Sequence, residues 1–542
     1  MIISSVNKKN IIIFSAIFVL ALIFRVVGLG SLPYGFHVDE AKAAWNAYSI
    51  LKTGHDEKGN FLPLYYDSFG DFRPTGIIYS IIPSIIIFGN TIFAARFSSA
   101  LFGAISVIPI MLLFLQICRD KDKKWFWIPG ILLAVNPWHV MTSRATSEVI
   151  IAMCLALFGF YFFIKSIKKS NFQSIFWSFF FIVLSYFFCH NIRVLAPIFL
   201  FGIIFFYWIF ERNLLKIKPA LIIFLITIGI TASFFLSPQA RGRLGQVSIL
   251  SDPKIRLETI NMPNQEGPGH VLMARSFHNR PLVVAKNVLG EYSNYFSTNF
   301  LVGNSALPIR YKTQNFGLIT YVELLLIVLS LAAAGTKKEV WLPLLLLLIA
   351  PIPAAITNED TPNLHRALFM IPFLVLLETY GLLFLISLKK YAKFLTKSVV
   401  VLLILNLIYF QHHYSNHQKF GLGPFYRNSG SQELAIKIYQ DQNQYSKVVI
   451  TNSPESLYPW FGFLNKIEPN SITKNGWKNV EFSNDKCPSE KIGLLNEKNI
   501  LIVNAEGCEI QAELAKKQKL TPIQDVIRRP DLSNPYLFLK KN

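Results

Sequence analysis

Two adjacent carboxylates, Asp39 and Glu40, stand in the polar stretch His37-Val-Asp-Glu-Ala-Lys42, between apolar blocks. Such a pair beside apolar surface suits a general base or a metal ligand, because desolvation raises a carboxyl toward useful proton affinity. Alone it reads more readily as two solvated loop acids or a helix start. Arg73 precedes Pro74 further along the same stretch, just before a short apolar run. Three more pairs lie at the edges of apolar blocks: Arg144 with Glu148, His190 with Arg193, and His365 with Arg366. Singly these have bland explanations. Arg144 and Glu148 are four apart and would share one side of a helix as a local ion pair. The others would be side chains snorkelling toward water. Together they carry more meaning. A guanidinium presents a planar fork to two phosphate oxygens at once. Acids (Asp39, Glu40, Glu148) gathered with groups for phosphate or sugar (Arg73, Arg144, His190, Arg193, His365, Arg366) suggest transfer chemistry on a lipid phosphate.

The elements that would position these residues follow from composition. The chain has 542 residues, of which 52% are hydrophobic and 16% charged. Its mean hydropathy is +0.40. Soluble chains carry about a quarter charged residues. The apolar residues come in blocks, at 11–24, 101–115, 147–164, 220–236 and 364–386. Each approaches the roughly 20 residues that cross a bilayer. The net charge of +21 is not a nucleic-acid signature, because the basic residues cluster in short loops at 119–124, 165–169, 212–218, 337–338 and 389–397. Such loops face the cytoplasmic leaflet. All five agree on one topology only if 77–88, about 12 residues, does not cross and lies as an interfacial or re-entrant helix. This predicts about eleven spans with the C-terminus outside. The first block follows Lys8 and Lys9 and has no A-x-A-like cleavage site, so it reads as an uncleaved span. The outer face then holds 28–88, 143–148, 190–193, 237–315 and 358–366, and with them every candidate residue.

The composition shifts near residue 415 toward Asn, Gln, Lys and Ser. We expect two domains, a membrane domain over 1–414 and a small extracytoplasmic α/β domain over 415–542. In the latter, 447–451 and 499–504 read as buried strands, and 454–464 and 508–517 as helices. The five cysteines show no metal-ligand spacing. Cys487 and Cys508 read either as one disulfide or as two unpaired thiols.

Several segments resemble one family. They are Asp39-Glu40-Ala, Thr53-Gly54 with Asp56 and Gly59, Phe69-Gly-Asp-Phe-Arg-Pro74, Ala95-Arg-Phe-Ser-Ser-Ala-Leu-Phe-Gly103 and Ser143-Arg-Ala-Thr-Ser-Glu148. With them go His190-Asn-Ile-Arg-Val-Leu-Ala-Pro197, Asn294-Tyr-Phe-Ser297, and 357–366 followed by Phe369-Met-Ile-Pro372. In this order they resemble bacterial relatives of the protein O-mannosyltransferases, family 39 glycosyltransferases of the GT-C fold, which are also similar to aminoarabinose transferases. The resemblance spans about residues 25–385. It implies a mostly α, polytopic helical bundle of GT-C type. It implies transfer of a sugar from a polyprenyl-phosphate donor to an acceptor hydroxyl of a protein, glycolipid or cell-wall glycan, at the outer face of a bacterial plasma membrane.

Under this resemblance Asp39 is the base on the acceptor hydroxyl, with Glu40 beside it. The basic residue before proline, Arg73, contacts the carrier phosphate. Relatives usually have Lys-Pro-Pro where this chain has Arg73-Pro74-Thr75. Arg144 and Glu148 match a second acidic motif, and Arg193 and Arg366 match positions facing phosphate or sugar. No metal or other cofactor is required, although the chemistry would tolerate a divalent ion. The 237–315 segment, with Arg241, Arg243, Arg275 and Arg280, would cover the site, bind acceptor or stay solvated. Two other readings are a flippase of lipid-linked sugar and a noncatalytic membrane scaffold. A transporter would place ionisable residues near mid-membrane in repeated halves; here the candidate charges sit at block ends and no repeat is visible.

Overall fold

The computed structural model describes residues 8–541 except 69, 170, 212–213, 237–244, 314–315, 389, 421–426, 453–455, 493–497, 509–518 and 524–525, with backbone alone at 214–217, 219, 268 and 491–492. The chain divides into two compact units. The first comprises Met1–Val27, Tyr65–Gly76 and Ser99–Tyr414; the second comprises Gly28–Leu64, Ile77–Ser98 and Ser415–Asn542.

Among the described residues, seven helices are long and apolar enough to cross a membrane: Lys8–Val26, Ile92–Ile117, Glu148–Lys169, His190–Glu211, Lys338–Ala355, Leu368–Ser387 and Ala392–Asn416. Four shorter apolar helices accompany them, Gly76–Phe88, Phe172–Ser185, Ala220–Leu236 and Tyr321–Ala334. The segment expected to be too short to cross is the 13-residue helix Gly76–Phe88.

In the first unit, Glu148–Lys169 pairs with Phe172–Tyr186, and Tyr321–Ala334 with Ile371–Ser387. Phe158, Phe162, Trp177 and Phe181 interlock across the first of these pairs. Strands β1 (Tyr65–Ser68) and β2 (Asp71–Pro74) form an antiparallel hairpin with Tyr66 opposite Arg73. The tight turn uses Gly70 at φ +85°, a left-handed conformation that a side chain would disfavour. From 245 to 313 the described chain forms the helices Pro253–Gln265, Val271–Phe277, Arg280–Asn294 and Thr298–Leu301. Arg275 and Arg280 lie in this segment, whereas Arg241 and Arg243 fall outside the described residues.

The second unit combines the helix Val38–Thr53 with a six-stranded mixed sheet. Its strands are β3 (Lys447–Thr451), β4 (Gly476–Trp477), β5 (Val480–Ser483), β6 (Ile500–Ala505), β7 (Leu520–Ile523) and β8 (Tyr536–Lys541), in spatial order β4-β5-β3-β6-β8-β7. Central β3 is parallel to β5 and β6, and the outer pairings are antiparallel. Every residue of β6 is buried, as expected of a strand covered on both faces. Val449, Ile500, Ile502, Leu520 and Leu539 form the core of one face. The strand expected at 447–451 is present as read, and the one at 499–504 begins one residue later. The helix expected over 454–464 occupies Tyr458–Leu464, with Pro454 outside the described residues. The helix expected over 508–517 also falls outside them, apart from Cys508. Cys508 forms a disulfide with Cys487. The Tyr458–Leu464 helix packs on Val38–Thr53, where Gly462 lets the Trp45 ring approach to 2.6 Å of where a Cβ would stand.

Candidate active site

The two adjacent acids begin one helix and have opposite surroundings. His37 is the N-cap of Val38–Thr53: its Nδ1 accepts the Asp39 N–H at 3.1 Å, and Glu40 accepts the His37 N–H at 3.1 Å. This is the reciprocal capping arrangement that fixes a helix start. Glu40 is 3% exposed. Arg96 grips both its oxygens, Nε to Oε1 at 3.0 Å and Nη2 to Oε2 at 3.1 Å, and Arg427 closes on Oε2 from the tail. Arg96 also donates to the carbonyls of Leu29, Pro33 and Gly35. Glu40, expected as a catalytic acid, is therefore committed to an internal ion network. Asp39 stays partly exposed, with its carboxylate 3.6 Å from His37 Nδ1. Of the two, Asp39 is the acid with the more exposed side chain.

The rest of the second unit supports this helix. Val38 N–H donates to Asn428, Tyr34 N–H to Gln418 and Trp460 Nε1 to the Phe36 carbonyl. Buried Lys42 contacts Glu57 and Tyr458, and Tyr458 Oη donates to Glu57 at 2.6 Å. Asp56 caps its own turn, accepting the N–H groups of Lys58 and Asn60. The Thr53–Gly59 motif is thus a structural turn.

The first unit links the other candidates in sequence. Asp71 and Arg73, two apart on β2 and so on one face, pair at 2.8 Å, and Arg73 remains part-exposed. His190 Nε2 lies 3.2 Å from the Phe72 carbonyl and its Nδ1 3.2 Å from Arg193 Nη1. Arginine can only donate, so Nδ1 is the acceptor and Nε2 carries the proton to Phe72. Buried Arg193 donates to Tyr65 Oη at 2.7 Å and twice to the Tyr186 carbonyl, and Tyr65 stacks on His190. Gly76 closes the junction. Its N–H donates to the Phe187 carbonyl at 2.9 Å, and a Cβ there would stand 2.4 Å from that oxygen.

Next in the chain of contacts, Asn191 donates to the Arg366 carbonyl. Arg366 pairs with Glu359 and donates to Thr357 Oγ1 at 2.8 Å. Asn363 caps the Arg366 N–H and in turn donates its own N–H to Tyr295 Oη. Burial pushes the Tyr295 hydroxyl up to about 12, so it is the neutral phenol that accepts. His365 stacks on Tyr311 with centroids 4.5 Å apart and meets Ser147 Oγ at 2.9 Å. Ser147 precedes Glu148, the first residue of its helix. Glu148 also lies close enough to Cys189 to help burial push that thiol up to about 12. Arg73, His190, Arg193, His365, Arg366 and Glu148 are thus joined through contacts between neighbouring segments.

Arg144 departs from expectation. It does not share a helix with Glu148: it is the C-cap of Pro137–Ser143, and Glu148 opens the next helix. The chain turns between them because Ser147 N–H bonds to Ser99 Oγ while Arg144 reaches back to the Phe24 and Val27 carbonyls, each at 2.8 Å. Arg144 caps the first helix, where a cation meets the negative end of the helix dipole.

Sequence reasoning met Arg96 and Asn191 only inside longer segments and gave them no role, and it passed over Arg427, Tyr65, Tyr311 and Lys312. Buried Lys312 donates to Asn304 Oδ1 at 2.8 Å, and burial pulls its ammonium down to about 8. The aromatic-basic run Arg310-Tyr-Lys312 was the available signal. No group of three His, Cys, Asp or Glu able to hold a metal occurs among the described residues.

This architecture recurs in solved structures. ArnT from Cupriavidus metallidurans in the apo state aligns with a TM-score of 0.50 at 12% identity, over 98% of each chain. The Archaeoglobus fulgidus oligosaccharyltransferase AglB, in complex with an inhibitory peptide and a dolichol-phosphate, aligns at 0.51 and 13% identity, over 92% of this chain and 69% of that one. The fold is GT-C. No protein-family model matches the chain, and no curated protein does. With this fold and its apolar helices, the chain is an integral membrane protein carrying a small C-terminal sheet domain.

Proposed function

We propose that this protein is an inverting glycosyltransferase, of the family 39 type, that moves a sugar from a polyprenyl phosphate to an acceptor hydroxyl on the outer side of the bacterial plasma membrane. The observation that carries the proposal is the linked cluster of Arg73, His190, Arg193 and Arg366. Arginines and a neighbouring histidine on a bundle of apolar helices suit the phosphate of a lipid carrier. The AglB structure contains a dolichol-phosphate, a ligand of this class.

In this reading Asp39 accepts the proton as the acceptor oxygen attacks the anomeric carbon. The bond from that carbon to the phosphate oxygen breaks, and the carrier leaves as its phosphate. Arg73 and Arg366 stabilise the departing charge. Arg193 and His190 hold the hairpin that carries Arg73. The scheme uses no metal and no strong general acid, because the phosphate is itself a good leaving group.

The test is turnover of radiolabelled polyprenyl-phosphate sugars by protein reconstituted in lipid, with cell-envelope acceptor. Wild type should transfer sugar, Asp39→Asn should fail, and Arg73→Ala should lose donor affinity. Equal turnover by wild type and Asp39→Asn would remove the assigned base. Carrier movement between leaflets without transfer would instead favour a flippase.

A further inference from the structure

Within the first unit, away from the residues above, lies an elongated apolar cavity of about 700 Å³. One wall is a face of the Ala392–Asn416 helix, from Ala392 to Leu407; the others come from Trp127–Val135 and the ends of two neighbouring helices. At a rise of about 1.5 Å per residue the first wall runs roughly 22 Å. That exceeds the roughly 15 Å of one leaflet's hydrocarbon, so a single acyl chain fits lengthwise.

The polar residues of this cavity are sorted by end. Lys393 and Lys397 line one end and are exposed. Trp125 and Trp127, with rings 6.0 Å apart, also line the cavity. They follow the basic run 119–124, as the two lysines sit in the basic run 389–397. Tryptophan pairs beside lysines are the composition of a membrane–water boundary. Glu323 and Thr320 line the other end, where Glu323 is bonded to Asn136, just past the far end of Trp127–Val135. A lipid anion therefore meets complementary charge only at the lysine end. The bias of both basic runs assigns that end to the cytoplasmic leaflet.

We propose that this cavity is a binding site for an anionic phospholipid of the cytoplasmic leaflet, with its headgroup phosphate on Lys393 and Lys397 and one acyl chain laid along the groove. The occupant is a bilayer lipid of the cytoplasmic leaflet and not the polyprenyl carrier, whose phosphate is placed on Arg73 and Arg366 at the outer side, an exclusion that rests on the proposed function.

The test uses the full chain reconstituted in phosphatidylcholine vesicles doped with brominated phosphatidylglycerol or brominated phosphatidylcholine. Bromine quenches tryptophan at contact. The signal from this site is the difference between wild type and Trp125→Phe/Trp127→Phe. Two lysines near an anionic headgroup should favour phosphatidylglycerol on the order of 30-fold. Lys393→Gln/Lys397→Gln should abolish that preference, and Lys393→Arg/Lys397→Arg should keep it. Both lysines are exposed, so neither change threatens folding. Equal quenching by the two lipids overturns the proposal, as does a preference that survives the Gln pair. Displacement of the brominated lipid by equimolar polyprenyl phosphate would give the groove to the carrier and equally overturn it.

Discussion

Removing Arg427 should loosen the second unit and with it the helix that presents Asp39. The side chain is fully buried and closes on Glu40, itself 3% exposed. Deleting one partner of a buried ion pair costs about 3–5 kcal/mol, chiefly because the other charge stays buried. Here Arg96 keeps its two bonds to Glu40, so Arg427→Ala belongs at the lower end, about 3 kcal/mol. If the unit melts on its own, the midpoint falls by roughly 6–12 °C. Arg96→Ala should be worse, since it also strips the donor from the Leu29, Pro33 and Gly35 carbonyls. The assay is a thermal melt in detergent followed by tryptophan fluorescence, to which buried Trp45 and Trp460 contribute. Below the melt, Arg427→Ala should lower kcat with little change in donor KM, because Arg427 closes on Glu40 and so holds the helix start that carries Asp39. A midpoint unchanged within about 2 °C, or Arg427→Ala more damaging than Arg96→Ala, would refute this account of the network.

Other consequences are as direct. Asp39→Asn should lower turnover by about 10²–10⁴-fold without moving the melting midpoint, the usual weight of a general base. Gly76→Ala forces a Cβ to 2.4 Å from the Phe187 carbonyl and should displace the Arg73 hairpin, raising donor KM. Lys312, held near 8 by burial, stays protonated in the unfolded chain up to about 10.5. The unfolded state therefore binds more protons between these values, and stability should rise as pH climbs from 8 to 10.5; Lys312→Met should flatten that rise in pH-dependent melts. Replacing both Cys487 and Cys508 by serine opens a closed loop with a sequence separation of 21, and should cost about 3 kcal/mol in denaturant unfolding of the tail.

The helical bundle was legible because bilayer crossing demands long apolar runs, a signal that survives without an alignment. The strands β3 and β6 were legible because continuous Val/Ile runs bounded by polar residues suit a covered parallel sheet. What failed was local. Arg144 and Glu148 have helical spacing, yet the chain turns between them because distant partners intervene: Ser99 takes the Ser147 N–H and the end of the first helix takes the Arg144 guanidinium. The role of Glu40 was illegible because its partners stand 56 and 387 residues away. No periodicity records such a contact. Tyr65 and Tyr311 were missed for a related reason: an aromatic ring in a loop is common, and only its stacking on His190 or His365 distinguishes it.

The two adjacent acids divide their tasks at one helix start. Consecutive residues at a helix start point in different directions, so one helix N-terminus can hold one carboxylate in the protein and offer the next to a substrate. Glu40 takes the inward direction and satisfies Arg96, Arg427 and the His37 N–H. That fixes the first turn, which also carries Asp39. A flexible loop acid would spend part of its time misaligned, and a misplacement of about 1 Å in a reacting group can lose two orders of magnitude in rate. Because Arg427 and Asn428 belong to the tail, the C-terminal segment contributes to this rigidity from within the same compact unit. The tail is then expected to matter for turnover whether or not it touches acceptor. Truncation after residue 414 should abolish transfer even with a small acceptor that needs no docking surface. Full activity of the truncated chain on such an acceptor would confine the tail to acceptor recognition.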